Sequence, residues 1–125
     1  IGCPKNYKPK KSVLNFAIKN NKKIKIFHNP KKAAKNADVI FSDKIISLND
    51  KVNIKKKKKD FKKFIINKNL LNSAKKDTIF LHCLPRGNEV SEEVFLKNQS
   101  YIWQQALNRV HVQKSILMYC FDKLR

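Results

Sequence analysis

The sequence predicts an α/β fold, a Rossmann-like three-layer α/β/α arrangement around a parallel sheet. Three observations carry this. Residues 38–42 and 78–82 are short apolar, partly β-branched runs with the length and composition of buried strands. Segments with apolar residues at helical spacing lie between and around them. Strand-like and helix-like stretches alternate, and no internal repeat interrupts the order.

Taken in order, Ile1-Gly2-Cys3-Pro4 reads as the end of a strand entering a turn, which Asn6-Tyr7-Lys8-Pro9 continues. Residues 11–21 carry Val13, Leu14, Phe16, Ala17 and Ile18 at helical spacing, with Ser12 near the start. Lys23-Ile24-Lys25-Ile26-Phe27 alternates and reads as a short strand. Asn29 is an N-cap with Pro30 at the first helical position, opening a short helix that ends near Asn36. Residues 38–42 form a strand buried on both faces, with Asp43 at its carboxyl end. A loop, Ser47-Leu48-Asn49-Asp50, follows.

Residues 51–63 include five consecutive lysines, 55–59, which read as a solvated face. Phe61, Phe64 and Ile65 then resume helical spacing. Leu70, Leu71 and Ala74 mark another short helix over 67–76. The strand at 78–82 runs out into His82-Cys83-Leu84-Pro85-Arg86-Gly87-Asn88-Glu89-Val90. Pro85 cannot extend a central strand and Gly87 permits a sharp bend, so the chain leaves the sheet here. Val90, Val94 and Phe95 return to helical spacing. Residues 104–125 form the best helix, with Val110, Ile116, Leu117, Cys120, Phe121 and Leu124 on one apolar face and Trp103 just ahead.

Composition narrows the function. Nothing approaches the roughly 18 consecutive apolar residues of a membrane span. Three cysteines, Cys3, Cys83 and Cys120, are far apart, and the histidines are not grouped as ligands, so a zinc site and a cofactor are not expected. Free thiols suit a reducing cytoplasm. The net charge of +20 admits nucleic-acid binding. Against it, only Arg86, Arg109 and Arg125 of the 29 basic residues are arginine, and the lysine runs hold few aromatics. Base readout needs directed guanidinium forks and stacking rings. Abundant Lys, Asn and Ile together fit compositional drift better, so no specific nucleic acid is expected.

Ligands in open α/β sheets collect at the carboxyl ends of strands. Asp43 and the His82-Cys83 pair both sit at such ends. His82-Cys83-Leu84-Pro85-Arg86 followed by Glu89-Val90 resembles the ornithine carbamoyltransferase family. Residues 37–43 with Ser47-Leu48-Asn49 resemble the family's ornithine-holding strand and loop, and residues 105–114 resemble the start of its last helix. The three blocks occur in one order with plausible spacings. This resemblance implies a partial ornithine-binding domain over 1–103. It also implies a helix at 104–125 that packs on a carbamoyl-phosphate domain. The family's Ser-Thr-Arg-Thr phosphate loop and His-Pro-x-Gln block are absent from the 125 residues, so the chain is expected to be the C-terminal piece of a longer, homotrimeric protein.

The implied reaction is attack of the ornithine δ-amine on the carbonyl carbon of carbamoyl phosphate. The amine, with a pKa of roughly 10 when free, must first lose a proton. The resemblance assigns Cys83 the role of proton acceptor, and thiolates do form at neutral pH where cations or helix dipoles lie close. It assigns Asp43, Ser47 and Leu48 to the amino-acid end of ornithine, so that Asp43 and Cys83 lie at its opposite ends. The carbamoyl-phosphate contacts it assigns are Cys83, the Leu84 carbonyl and Arg109. It further implies a cis Leu84-Pro85 bond. His82 reads only as the last polar residue of its strand.

The chain departs from the family at Leu48 and Asn49, where Met and Gly are usual, and at Leu107, where Glu is usual. The first departure leaves a related transferase for putrescine or an acylated ornithine open as an alternative. A small Lys-rich nucleic-acid-binding protein and a non-catalytic paralogue are the others.

Overall fold

A computed structural model describes residues 1–20, 23–47 and 53–123. Its helices are α1 (Lys11–Asn20), α2 (Pro30–Ala34), α3 (Ile54–Phe61), α4 (Lys68–Leu71), α5 (Glu92–Lys97) and α6 (Gln99–Lys123). Its strands are β1 (Val39–Ser42) and β2 (Ile79–His82). The two strands pair in parallel, Val39 opposite Ile79 through Ser42 opposite His82. Parallel neighbours require a long crossover. Here residues 43–78, including α3 and α4, supply it. Two isolated parallel bridges, Gly2 with Phe27 and Ile66 with Val90, continue the same architecture outside the named strands.

Local chemistry sets the helix starts. Asn29 caps α2 by accepting from the Lys32 amide at 3.1 Å, and Pro30 follows at the first position. Asn53 and Asn67 cap α3 and α4 in the same way. Tyr7 donates to Asp60 at 3.0 Å and its ring meets Phe61 edge-on at 4.8 Å, which pins the entry loop to α3. Most α3 lysines face solvent, as the charge run predicts.

The core gathers Ala34, Ile66, Leu70, Phe80, Val90, Val94 and Ile102. Phe80 and Ile102 are fully buried, so β2 and the first turn of α6 close on each other. That contact fixes the position of the segment after β2.

Several expectations change. Residues 23–27 do not form a strand; only Phe27 bridges, to Gly2. β1 is not buried on both faces: Val39 and Phe41 are exposed and border an open cleft of about 680 Å3 with Ile1, Ala33 and Phe61. The last helix begins at Gln99, not residue 104, so Trp103 lies inside it. Ile102 supplies the reason, because its burial against β2 needs helical backbone that early. The apolar residues of α6 are not confined to one stripe either; Val112, Met118 and Tyr119 are as exposed as Val110, Leu117 and Phe121.

Candidate functional site

The strand register builds the site. Ser42 opposes His82 as the last pair of the sheet, so Asp43 and Cys83 are each one residue past it on adjacent parallel strands. Their side chains meet: the Cys83 thiol donates to Oδ1 of Asp43 at 3.1 Å. Asp43 Oδ1 also accepts from the Lys44 amide at 2.7 Å. The contact sets the two side chains beside each other at the strand ends. It also reverses the expected electrostatics. Partial burial raises the Cys83 pKa above the ordinary thiol value, and the Asp43 hydrogen bond and charge push the same way. Beside Asp43 the resting form is the thiol, not a thiolate.

Beyond Cys83 the chain turns sharply. Leu84 adopts a left-handed backbone, φ 48°, and the Leu84-Pro85 bond is cis, as the resemblance implies. Leu84 is half-buried against the core. Cys83, Leu84, Arg86, Trp103 and Arg109 line one open cleft of about 650 Å3. The Arg86 guanidinium lies 5.2 Å above the Phe95 ring, which holds it at the rim. Arg109, two turns into the exposed part of α6, faces the same cleft as Cys83 and Leu84.

The structure therefore joins Asp43 to Cys83, and Cys83 to Leu84 and Arg109. Ser47 is exposed. Leu48 falls outside the described residues.

Sequence reasoning missed a buried polar group behind the site. His82 is 1% exposed and Glu89 3% exposed, and they meet at 3.0 Å between Nε2 and Oε1. The Leu84 amide donates to His82 Nδ1 at 3.0 Å, and the His82 amide donates to Gln105 Oε1 at 3.1 Å. A polar residue closing an apolar strand, with a carboxylate seven positions on, was the available signal. Among the described residues no cluster of three or more His, Cys, Asp or Glu is placed to hold a metal.

Comparison with known proteins agrees with this geometry. Residues 1–120 match the family described as Aspartate/ornithine carbamoyltransferase, Asp/Orn binding domain. An ornithine carbamoyltransferase of Campylobacter hominis is 44% identical over 125 residues, covering 95% of this chain and 41% of that protein. One from Prochlorococcus marinus is 45% identical over 122 residues, 94% of this chain and 40% of that protein. The crystal structure of anabolic ornithine carbamoyltransferase from Campylobacter jejuni superposes with a TM-score of 0.89 at 37% identity, covering all of this chain and 44% of that one. The enzyme from Pyrococcus furiosus superposes at 0.80 with 38% identity, covering 91% of this chain and 38% of that one. The chain thus spans about two-fifths of the length of the curated relatives it matches. With its parallel strands ending in the Asp43–Cys83 pair and a match over 120 residues, the chain belongs to the aspartate/ornithine carbamoyltransferase family and carries its Asp/Orn-binding domain.

Proposed function

We propose that this chain is the amine-binding part of an ornithine carbamoyltransferase, which moves the carbamoyl group of carbamoyl phosphate onto the ornithine δ-amine to give citrulline and phosphate. The observation that carries the reading is the Asp43–Cys83 hydrogen bond at the strand ends, opening onto the cleft that Arg109 shares. The relatives' names support the reaction, and the 37–45% identities support its transfer.

The geometry suggests how the chain's own residues act. Ornithine arrives with both amines protonated and its carboxylate ionised, a net monocation. The Asp43 carboxylate supplies a negative charge, and the thiol beside it is a relay atom. Cys83 sulfur takes a proton from the δ-ammonium as its own proton passes to Asp43, which leaves a neutral amine and a neutral Asp43–Cys83 pair. The amine lone pair then attacks the carbamoyl carbon, the carbon–oxygen bond to phosphate breaks, and the departing phosphate takes up the proton that the new carbamoyl nitrogen gives up. The Leu84 carbonyl receives the carbamoyl NH₂, and Arg109 offers a guanidinium fork to the phosphate oxygens. Ser47 and the Leu48 amide receive the amino-acid end. Positioning and charge account for the rate, with no covalent intermediate.

This reading takes L-ornithine and carbamoyl phosphate as partners, and a homotrimer in the cytoplasm as the working form. It requires no cofactor, no specific nucleic acid and no membrane. Among the described residues no helix is long and apolar enough to cross a membrane, and the cysteines are free. Steady-state assay of citrulline formation by the full-length polypeptide, with ornithine, putrescine and acetylornithine compared, tests it. A preference for putrescine or acetylornithine would reassign the substrate.

A further inference from the structure

The group behind the site is built with more care than packing requires. His82 lies at the end of β2, fully buried beneath Leu84 and beside Phe80. Its two ring nitrogens face partners of opposite kinds. The Leu84 amide can only donate, so Nδ1 must accept and carry no proton. Nε2 then carries the proton and donates to Oε1 of Glu89. The same carboxylate oxygen accepts from the Gly87 amide at 2.5 Å. Glu89 therefore fixes which nitrogen is protonated, and that choice fixes whether the Leu84 amide has an acceptor.

Leu84 needs one. Its φ of 48° lies in the left-handed region, where a Cβ crowds the following carbonyl oxygen. The amide bond to His82 spans two residues and holds the chain in that turn. Without Glu89 the ring is free to place its proton on Nδ1, where it would oppose the Leu84 amide, donor against donor.

We propose that Glu89 and His82 are positioning residues for carbamoyl transfer: Glu89 holds the tautomer of His82 that receives the Leu84 amide, and so aims the Leu84 carbonyl at the carbamoyl group. The inference rests on the functional reading above for its substrate, while the tautomer and the Leu84 turn stand on geometry alone. Neither residue touches substrate.

The experiment uses the full-length polypeptide that carries these residues. Glu89→Gln keeps an oxygen acceptor where Oε1 stands. Glu89→Met keeps the length and removes it. Each variant is crystallised and assayed for kcat and for both substrate KM values, with Tm measured alongside. Glu89→Gln should keep Leu84 left-handed and kcat within about threefold of the parent. Glu89→Met should release Leu84 from the left-handed region and lower kcat about 100-fold, the scale of an ångström-sized misplacement. Ornithine KM should move little.

A second pair covers failure of Glu89→Met to fold. His82→Asn places its side-chain oxygen near the old Nδ1 position and keeps the Leu84 bond. His82→Gln reaches toward the Nε2 position and loses that bond. The Asn variant should outperform the Gln variant at least tenfold in kcat. Leu84 unmoved and kcat unchanged in Glu89→Met, or equal damage from His82→Asn and His82→Gln, would overturn the proposal and leave the pair as core packing. The expected Leu84 response in a parent protein with no carbamoyl transfer would support the device and overturn the functional reading instead.

Discussion

The Cys83 thiol and the Asp43 carboxylate share a hydrogen bond of 3.1 Å although 40 residues separate them in the chain. Parallel pairing of Ser42 with His82 is the cause. Burial first, and Asp43 second, hold the thiol protonated. Alkylation by iodoacetamide requires the thiolate. Its rate at Cys83 should therefore rise with pH around a midpoint above the ordinary thiol value. Asp43→Asn should lower that midpoint only in part, since burial is the larger cause. Peptide mapping separates Cys83 from Cys3 and Cys120. The folded pKa is the raised one, so whatever stability the contact lends is present below the ordinary thiol range. It is lost as pH climbs through the raised value, because the unfolded chain ionises first.

Asp43→Asn should also weaken ornithine binding in the full-length enzyme. Loss of a charge-assisted contact in a closed site costs about 1.5–3 kcal/mol. Ornithine KM should rise by one to two orders of magnitude, with carbamoyl phosphate KM little changed. Cys83→Ser keeps the hydrogen bond but not the relay, so kcat should fall and its pH dependence move upward. Parent-like kinetics at every pH would make Cys83 structural.

Gly87 is the third test. A Cβ there would stand 2.6 Å from Glu89 Oε2 and 3.1 Å from Oε1. The carboxylate is buried and already bound by His82 and the Gly87 amide, so it has little room to retreat. Gly87→Ala should destabilise the protein by about 1–3 kcal/mol, the usual range for overpacking. Chemical denaturation measures it; a neutral result would show that the Glu89 side chain shifts freely.

Phe80→Ala opens a cavity at the fully buried centre of β2 and should cost about 3–5 kcal/mol. Asn67→Ala removes the cap on the Leu70 amide, 2.9 Å away, and should cost about 1 kcal/mol. Thermal unfolding should rank them in that order.

The net charge of +20 should produce only loose duplex binding, erased by moderate salt and indifferent to sequence. Fluorescence anisotropy across a salt series tests this. Sequence-selective binding at physiological salt would contradict the enzyme reading.

The α/β class was legible because strand and helix differ in apolar period, and the cap at Asn29 because an Asn followed by Pro at the first helical position encodes it locally. Cys83, Leu84 and Arg109 were legible through motif resemblance, and the cleft unites them. The Asp43–Cys83 contact was not legible, since it depends on register, which no single strand's sequence states. His82 was passed over for a related reason. Its partner Glu89 lies beyond a proline and a glycine, and only the folded turn brings the two together. The early start of α6 goes with the burial of Ile102 against β2, a tertiary contact.

Among the described residues of α6, Ile102 alone is buried, and Gln105 accepts the hydrogen bond of the His82 amide. Both lie in its first two turns, whereas its 25 residues span about 37 Å at 1.5 Å per residue. A stiff rod clamped near one end is a lever with its fulcrum at the clamp. Whatever grips the distal turns acquires mechanical advantage over the backbone that ends β2. Small forces far from the chemistry arrive there magnified, and large excursions arrive reduced to fractions of an ångström.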